Sequence, residues 1–220
     1  CTNFNSSATD SPTVSTNNLG ATFYNCQNFN GYIGNWDISS VTSFYSTSAF
    51  GRGMFEGATS FNQPLDNWNV SNVSDMRYCF ENSPSFNQSL NSWNTSSVND
   101  MSYMFNGATS FNGDVTSWDV SNVTVMFGMF AGATSFNQSI NSWDMVDVTN
   151  TTNMFAGASS FNQPCNSWNT ASLVTTSLMF SAATSFNQTL NNWDTADVTN
   201  MNNMFSGATS FNGNIGSWNT

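Results

Sequence analysis

Residues 104–118 read MFNGATSFNGDVTSW, and near-copies of this stretch recur along the 220-residue chain. Tryptophan marks each copy, at Trp36, Trp68, Trp93, Trp118, Trp143, Trp168, Trp193 and Trp218. From Trp68 onward a tryptophan occurs at every twenty-fifth position, whereas the first interval is longer by seven positions. A fixed period of about 20 to 50 residues is typical of repeat proteins, in which each unit packs on its neighbours. We therefore expect one elongated array.

The spacing of apolar residues predicts the structure of each unit. In residues 65–70 the apolar positions end on a spacing of two, which favours a short strand. In residues 73–80 they recur at three, three and one, which favours about two helical turns. The glycine at position 57 and its counterparts suit a left-handed residue just past the helix end. The sequence thus predicts an α/β repeat solenoid of about eight 25-residue coils, each a short parallel strand plus a short helix.

Two regions depart from the regular repeat. Residues 1–21 are polar and are predicted to form an N-terminal arm or cap, which precedes the regular array. Residues 22–220 are predicted to form the leucine-rich-repeat-like solenoid. The longer first interval places seven additional residues within residues 45–53, which include Arg52. We expect a loop there on a face that need not be packed, because insertions of this kind are tolerated at surfaces and often carry function.

Two side chains recur at the same place in every coil and are predicted to form a structural ladder. Stacked asparagines can satisfy backbone groups at a bend, and stacked tryptophans can fill the core. The asparagines are Asn62, Asn87, Asn112, Asn137, Asn162, Asn187 and Asn212, and the tryptophans are Trp68, Trp93, Trp118, Trp143, Trp168 and Trp193.

The composition narrows the function. The chain has a net charge of -11, only 7% charged residues and no histidine. We expect no nucleic acid partner, because nucleic acids are bound mainly through cationic contacts to phosphate. Since histidine is the commonest general base and metal ligand, we expect no catalytic, cofactor or metal site and no enzymatic activity. No apolar run approaches the roughly 20 residues that span a bilayer, so the chain is predicted not to be transmembrane.

A surface of uncharged Asn, Ser and Thr indicates an extracellular or cell-surface location. Sequons predict N-glycosylation at Asn5, Asn69, Asn72, Asn94, Asn122 and Asn150, although a chain this rich in Asn, Ser and Thr also produces sequons by chance. In an oxidising compartment Cys1 is expected to form a disulfide with Cys26. The alternatives are that Cys1 carries a lipid or is a free thiol.

The unit MFxGATSFNQxLxxWxxSxVxxM, as in residues 54–76, resembles the BspA-type branch of the leucine-rich repeats. That family occurs in surface proteins and lipoproteins of bacteria and some protists. The resemblance covers residues 22–220. It implies a right-handed solenoid, a surface or secreted location, and a role in adhesion or cell-surface structure. It supplies no catalytic residues.

The last apolar layer of the array, Phe211, Ile215 and Trp218, has no polar terminal repeat to cover it. We expect that the chain has been cut there or that another subunit covers the layer. A head-to-tail contact that does not close gives a filament. The sequence thus predicts a non-enzymatic extracellular surface protein with a structural or adhesive role, self-associating end to end into a filament.

The alternative is a monomeric binding module that recognises glycans, a host protein or ice along one face. A row of small hydroxyl residues at the outer turn is the feature that suggests ice: Thr59, Thr109, Thr134, Ser159, Thr184 and Thr209.

Overall fold

The computed structural model describes residues 12–219. Within them, the chain forms coils that stack through backbone contacts between equivalent positions. Single-residue parallel bridges run in one line along the stack, joining Ser43, Asp75, Asp100, Val125, Asn150, Thr175 and Asn200 in turn. The step from Ser43 to Asp75 is longer than the later, equal steps by the same seven positions, so the bridges follow the period of the tryptophans.

The segment that follows each bridge alternates two kinds of amide hydrogen bond. Every second N–H donates to a carbonyl of the following coil: Tyr78 to Ser102 (3.0 Å), Phe80 to Met104 (2.8 Å) and Asn82 to Asn106 (2.7 Å). The N–H groups between them donate three residues back, from Glu81 to Tyr78 (3.1 Å) and from Ser83 to Phe80 (3.2 Å). The segment therefore forms a ladder of hydrogen bonds with the following coil and, at the same time, a series of tight turns within its own coil.

Left-handed residues make these turns possible. From Tyr78 onward, two positions four residues apart have positive φ in each coil, beginning with Tyr78 (58°) and Asn82 (52°). The later pairs are Tyr103 and Gly107, Gly128 and Gly132, Asn153 and Gly157, Leu178 and Ala182, and Asn203 and Gly207. An α-helix of L-residues needs negative φ throughout, so a left-handed residue at every fourth position of the segment excludes it.

The predicted α/β solenoid with a short strand and a short helix in each coil is therefore wrong. The described residues contain no helix, and their only strands are β1 (Tyr45–Ser46) and β2 (Arg52–Gly53). The spacing of three that suggested helical turns arises from hydrogen bonds between residues three apart in successive turns. The glycines predicted to lie past a helix end do have positive φ, as at Gly57 (72°), but they lie within these turns.

The core consists of rows of identical or similar side chains, one from each coil. The inward positions predicted for the unit 54–76 are all buried: Met54, Phe55, Ala58, Phe61, Leu65, Trp68, Val70, Val73 and Met76. Each coil adds two stacked phenylalanines, as in the pair Phe80 and Phe86 with ring centroids 4.0 Å apart. The rows then continue between coils, with Phe80 and Phe105 5.5 Å apart. Burial of each large apolar side chain stabilises the fold by about 1.5 to 3 kcal/mol.

The seven additional residues of the first coil form a hairpin. Strands β1 and β2 pair antiparallel, with Tyr45 opposite Gly53 and Ser46 opposite Arg52. Phe50 lies in the connection between them and is 81% exposed. The hairpin therefore projects an aromatic side chain from an otherwise regular stack.

Residues 12–21 contact the first coil. Val14 N–H donates to Asp37 (2.9 Å), Leu19 N–H donates to Ser43 (3.0 Å), and the Leu19 side chain is buried. The boundary between an arm at residues 1–21 and an array at 22–220 stays a prediction.

Candidate ligand-binding face

The recurring asparagines connect each coil to the next through one side-chain oxygen. Asn87 N–H donates to Oδ1 of Asn62 (2.9 Å), and Asn112 N–H donates to Oδ1 of Asn87 (2.8 Å). The same bond recurs at 2.7 to 3.0 Å through Asn137, Asn162, Asn187 and Asn212. Four glutamines reinforce the row, because Nε2 of each donates to the asparagine of the preceding coil: Gln88, Gln138, Gln163 and Gln188. These amides are therefore engaged within the stack.

The tryptophans form a second row, inside the core. The indole N–H of Trp93 donates to the carbonyl of Leu65 (2.9 Å), and that of Trp118 donates to Leu90 (2.9 Å). Equivalent bonds hold Trp68, Trp143, Trp168, Trp193 and Trp218. Successive rings stack, with centroids of Trp93 and Trp118 6.4 Å apart. The Oδ1 atoms of the asparagines and the indole N–H groups of the tryptophans are therefore used to join the coils.

The predicted glycosylation sites differ in what their side chains contact. Asn72 and Asn122 each donate Nδ2 to a carbonyl of the preceding coil at 2.8 Å. Asn69 and Asn94 are exposed and use Oδ1 to accept the backbone N–H and the hydroxyl of the serine two residues on. Asn150 is partly buried and accepts the N–H of Thr152 (2.9 Å). Asn5 lies outside the described residues.

Two further predictions concern the two ends of the chain. Cys26 is buried, and its proposed partner Cys1 lies outside the described residues. At the other end, Phe211 and Trp218 are partly buried against the core, and Ile215 is 36% exposed.

The hydroxyl row at the outer turn is also tied to the stack. Thr59 and Thr134 each donate their hydroxyl to a carbonyl of the preceding coil at 3.1 Å, and Ser159 and Thr184 do so at 3.4 Å. These hydroxyl groups therefore donate their hydrogen bonds within the stack, which leaves fewer of them to bind a ligand such as ice.

A row of aromatic side chains on the first coils is the most distinctive surface of the described residues. We define the tyrosine face as Tyr24, Tyr45, Tyr78, Tyr103 and Phe127 with the cations Arg52 and Arg77. The ring centroids of Tyr45 and Tyr78 are 5.7 Å apart, those of Tyr78 and Tyr103 are 5.0 Å apart, and those of Tyr103 and Phe127 are 4.9 Å apart. All five rings are partly exposed.

Both arginines of the chain belong to this face, and each lies over a tyrosine ring. The guanidinium carbon of Arg77 is 3.9 Å from the centroid of Tyr45, and that of Arg52 is 4.9 Å from Tyr24. Arg77 pairs with Asp75 (2.6 Å) and Asp100 (3.7 Å), while Arg52 pairs with the buried Glu56 (3.0 Å).

Burial and neighbouring groups shift the pKa values of several side chains on or beside the face. It raises the pKa of the Tyr78 and Tyr103 phenols, and the nearby Glu81 carboxylate raises both further. Burial also raises the pKa of Glu81, although a hydrogen bond from Asn106 Nδ2 (2.7 Å) opposes this shift. The hydrogen bond to Asp75 raises the pKa of the Arg77 guanidinium, so Arg77 stays charged.

Sequence reasoning missed the tyrosine face, although it singled out Arg52. Tyr78 and Tyr103 are one period apart and therefore occupy the same position in successive coils. That spacing could have predicted that the two tyrosines lie next to each other in the stack. Tyr45 could not have been aligned with them, because it directly precedes the additional residues of the first coil.

Two other kinds of site are absent from residues 12–219. In this range, no group of three or more Cys, Asp or Glu side chains is placed to hold a metal ion. Nor does this part of the chain contain a helix with the length and hydrophobicity that a membrane crossing takes.

The stacked coils and their aligned side chains define the class to which this chain belongs, that of repeat proteins. Within that class, the chain belongs to the family described as "Mycoplasma protein of unknown function, DUF285", whose model matches residues 1–91, 50–165 and 138–220. The three overlapping matches together span the repeats. No curated protein and no solved structure gave a significant match.

Proposed function

We propose that this chain is a non-enzymatic repeat protein of the cell surface or extracellular space, with an adhesive or structural role. The observation that carries the adhesive role is the tyrosine face. Aromatic and arginine side chains are enriched at protein interfaces, where they supply much of the binding energy. Here they lie in line on coils whose backbones are hydrogen-bonded to one another, so the face is preorganised. Phe50 adds an exposed ring on the adjoining hairpin.

The surface composition supports the extracellular location. Asn, Ser and Thr replace charged residues over most coils, and the charged fraction of the chain is 7%. The resemblance to BspA-type repeats points to the same location and role. N-glycosylation belongs to this proposal, with Asn69 and Asn94 as its best acceptors. Both residues are exposed, whereas Asn72 and Asn122 donate Nδ2, the atom that would carry the glycan, to the preceding coil.

An adhesion assay tests the proposal. Beads coated with the chain are expected to attach to cells or to immobilised glycans and proteins, and the double variant Tyr78→Ala/Tyr103→Ala is expected to lose that attachment. Asn153→Ala/Asn203→Ala is the matched control, because these residues occupy the same coil position, also with positive φ, farther along the array. Equal attachment by both double variants would argue against the tyrosine face as the adhesive surface.

End-to-end self-association is the structural part of the proposal. Coil-on-coil packing is self-complementary, since each layer carries the same apolar side chains as the next, and the layer of Phe211, Ile215 and Trp218 has this chemistry. Electron microscopy and sedimentation over a range of concentrations are expected to show filaments, and Ile215→Asp is expected to prevent them. Single particles at every concentration would instead favour a monomeric binding module.

A further inference from the structure

Tyr78 and Tyr103 occupy equivalent positions in neighbouring coils, and their rings are stacked. The ring centroids are 5.0 Å apart, and the ring planes are inclined by 17°. Both residues have the same left-handed backbone conformation, with φ of 58°. The N–H of Tyr78 donates to the carbonyl of Ser102, the residue before Tyr103 (3.0 Å). The backbone of the stack therefore holds the two phenols side by side.

Two phenols in contact are arranged for oxidative coupling. Loss of one electron and one proton from a tyrosine gives a neutral phenoxyl radical, whose unpaired electron is shared with the ring carbons Cε1 and Cε2. Two such radicals combine by forming a bond between one Cε carbon of each ring, and the hydrogen on each bonded carbon then moves to the phenol oxygen. The product is dityrosine. Because both partners belong to one chain and already lie together, the coupling is intramolecular.

The neighbours of the pair favour coupling between these two rings. Tyr78 and Tyr103 are partly exposed, so an oxidant in solution can reach them. Beyond Tyr103 lies Phe127 (4.9 Å), which has no phenol oxygen and cannot form a phenoxyl radical. Beyond Tyr78 lies Tyr45 (5.7 Å), and the guanidinium of Arg77 is 3.9 Å from the Tyr45 centroid. A positive charge over a ring disfavours the loss of an electron from it, so Tyr45 is the poorer partner for Tyr78.

We infer that Tyr78 and Tyr103 form a site of oxidative modification, at which a peroxidase with hydrogen peroxide joins them as dityrosine. One molecule of hydrogen peroxide accepts the two electrons and two protons and is reduced to two molecules of water. The new bond links two coils covalently, and it restricts the unfolded chain as a disulfide does. This inference goes beyond the proposed adhesive or structural role, because it concerns a reaction within a single chain.

Treatment of the purified chain with a haem peroxidase and hydrogen peroxide tests the inference. We expect the blue fluorescence of dityrosine and a product with the mass of one chain less two hydrogen atoms. Dilution of the chain by about tenfold is expected to leave the yield per chain unchanged, because the coupling is intramolecular. A yield that falls in proportion to the chain concentration would mean coupling between chains and would overturn the inference.

Chemical cleavage locates the link. Cyanogen bromide cleaves after methionine, so it separates the two tyrosines into residues 77–101 and residues 102–104, each with one tyrosine. The methionines at these boundaries are fully buried, which protects them from peroxide before cleavage. Mass spectrometry is expected to show these two fragments joined. Separate fragments would overturn the inference, and so would a link from residues 77–101 to residues 1–54, which hold the other three tyrosines.

Two variants test which phenols react. Tyr103→Phe keeps the ring and its stacking but removes the phenol oxygen, and it is expected to abolish the link and most of the dityrosine fluorescence. Tyr24→Phe is the matched control, because it removes a phenol whose ring lies beneath Arg52. This control is expected to form the link as the unchanged chain does. A linked product from Tyr103→Phe, or loss of the link in Tyr24→Phe, would refute the site.

Discussion

A single asparagine side chain joins two coils at each step of the stack. Its Oδ1 accepts the backbone N–H of the equivalent asparagine in the following coil, at 2.9 Å between Asn62 and Asn87. A serine in this position would be too short to reach, and a leucine would offer no acceptor. Asparagine also brings its own backbone N–H to the asparagine before it, so one residue type satisfies the bend in every coil.

Removal of one of these amides should destabilise the stack. In Asn137→Ala, the N–H of Asn162 (3.0 Å) and Nε2 of Gln163 (3.1 Å) lose their acceptor. We expect a loss of about 1 to 2 kcal/mol in the free energy of unfolding, as is typical when partly buried donors are left unpaired. Urea denaturation measures it. Ser135→Ala, at an exposed position of the same coil, is the control and should change stability little.

Alanine substitutions at two glycines of one coil distinguish the cost of a steric conflict from the cost of backbone strain. Gly128 and Gly132 have similar positive φ, 60° and 67°. A Cβ at Gly128 would lie 2.8 Å from the Tyr103 ring, whereas one at Gly132 would meet the backbone of Gly107 at 3.6 Å. Gly132→Ala should therefore cost about 1 kcal/mol, the strain of a left-handed alanine. Gly128→Ala should cost more, because Tyr103 must also move. Similar unfolding free energies for the two variants would show that the Tyr103 ring yields freely.

At the scale of the structural element, the sequence predicted positions better than conformation. The period of the repeat and the inward positions of the unit 54–76 follow from the apolar pattern, and burial confirms them. The helix does not follow, because residues three apart are neighbours both in a helix and in successive tight turns. What separates the two is positive φ at Tyr78, Tyr103 and Leu178. Bulky residues rarely adopt that conformation, so their local conformational preferences do not predict it.

The tyrosine face could likewise be predicted only in part from the periodicity of the sequence. Periodicity could align Tyr78 with Tyr103, but it could not tell whether the two rings stack on the surface or pack in the core. The contact of Arg77 with Tyr45 joins different coils, and it depends on the path of the hairpin. That path is set by an insertion that occurs once in the chain, for which the repeat provides no template.

The hairpin is expected to depend on the pair formed by Arg52 and Glu56. The Glu56 side chain is nearly buried and accepts both Arg52 Nη1 (3.0 Å) and Gly53 N–H (3.1 Å). Arg52→Gln should lower the free energy of unfolding by about 1 to 2 kcal/mol, because it leaves a buried carboxylate without its cation. A double-mutant cycle with Glu56→Gln measures the coupling. Additive losses in the two single variants would mean that the pair contributes nothing beyond its separate parts.

For the whole molecule, the stack should tolerate a change in the number of coils but not in their register. Each coil contacts its neighbours, so stability is approximately a sum over coils and interfaces. Deletion of residues 129–153 joins Gly128 to Met154 and removes one full period, so every row stays aligned. We expect a soluble protein with one cooperative unfolding transition and a slightly smaller dependence on urea concentration, because less surface is exposed on unfolding.

Deletion of residues 129–152 is the matched control. It removes one residue fewer than a full period and shifts every following side chain relative to the preceding coil. Apolar and polar positions then meet across the junction. We expect loss of cooperative unfolding or aggregation, assessed by circular dichroism and sedimentation. A folded, stable product would show that the rows can slip, against the like-on-like packing of the Phe and Trp side chains.

The asparagine row also gives the molecule a direction. At every step the preceding coil presents a side-chain oxygen and the following coil presents an amide hydrogen. Along this row, a completed coil therefore presents a side-chain acceptor to the coil synthesised after it, and its own asparagine N–H is already paired with the coil before it. During translation, which proceeds from the N-terminus, each newly emerged coil would meet a surface prepared to receive it. We therefore expect the asparagine row to form in the order of synthesis, whereas amides of the backbone ladder such as Tyr78 N–H receive their acceptors only when the following coil arrives.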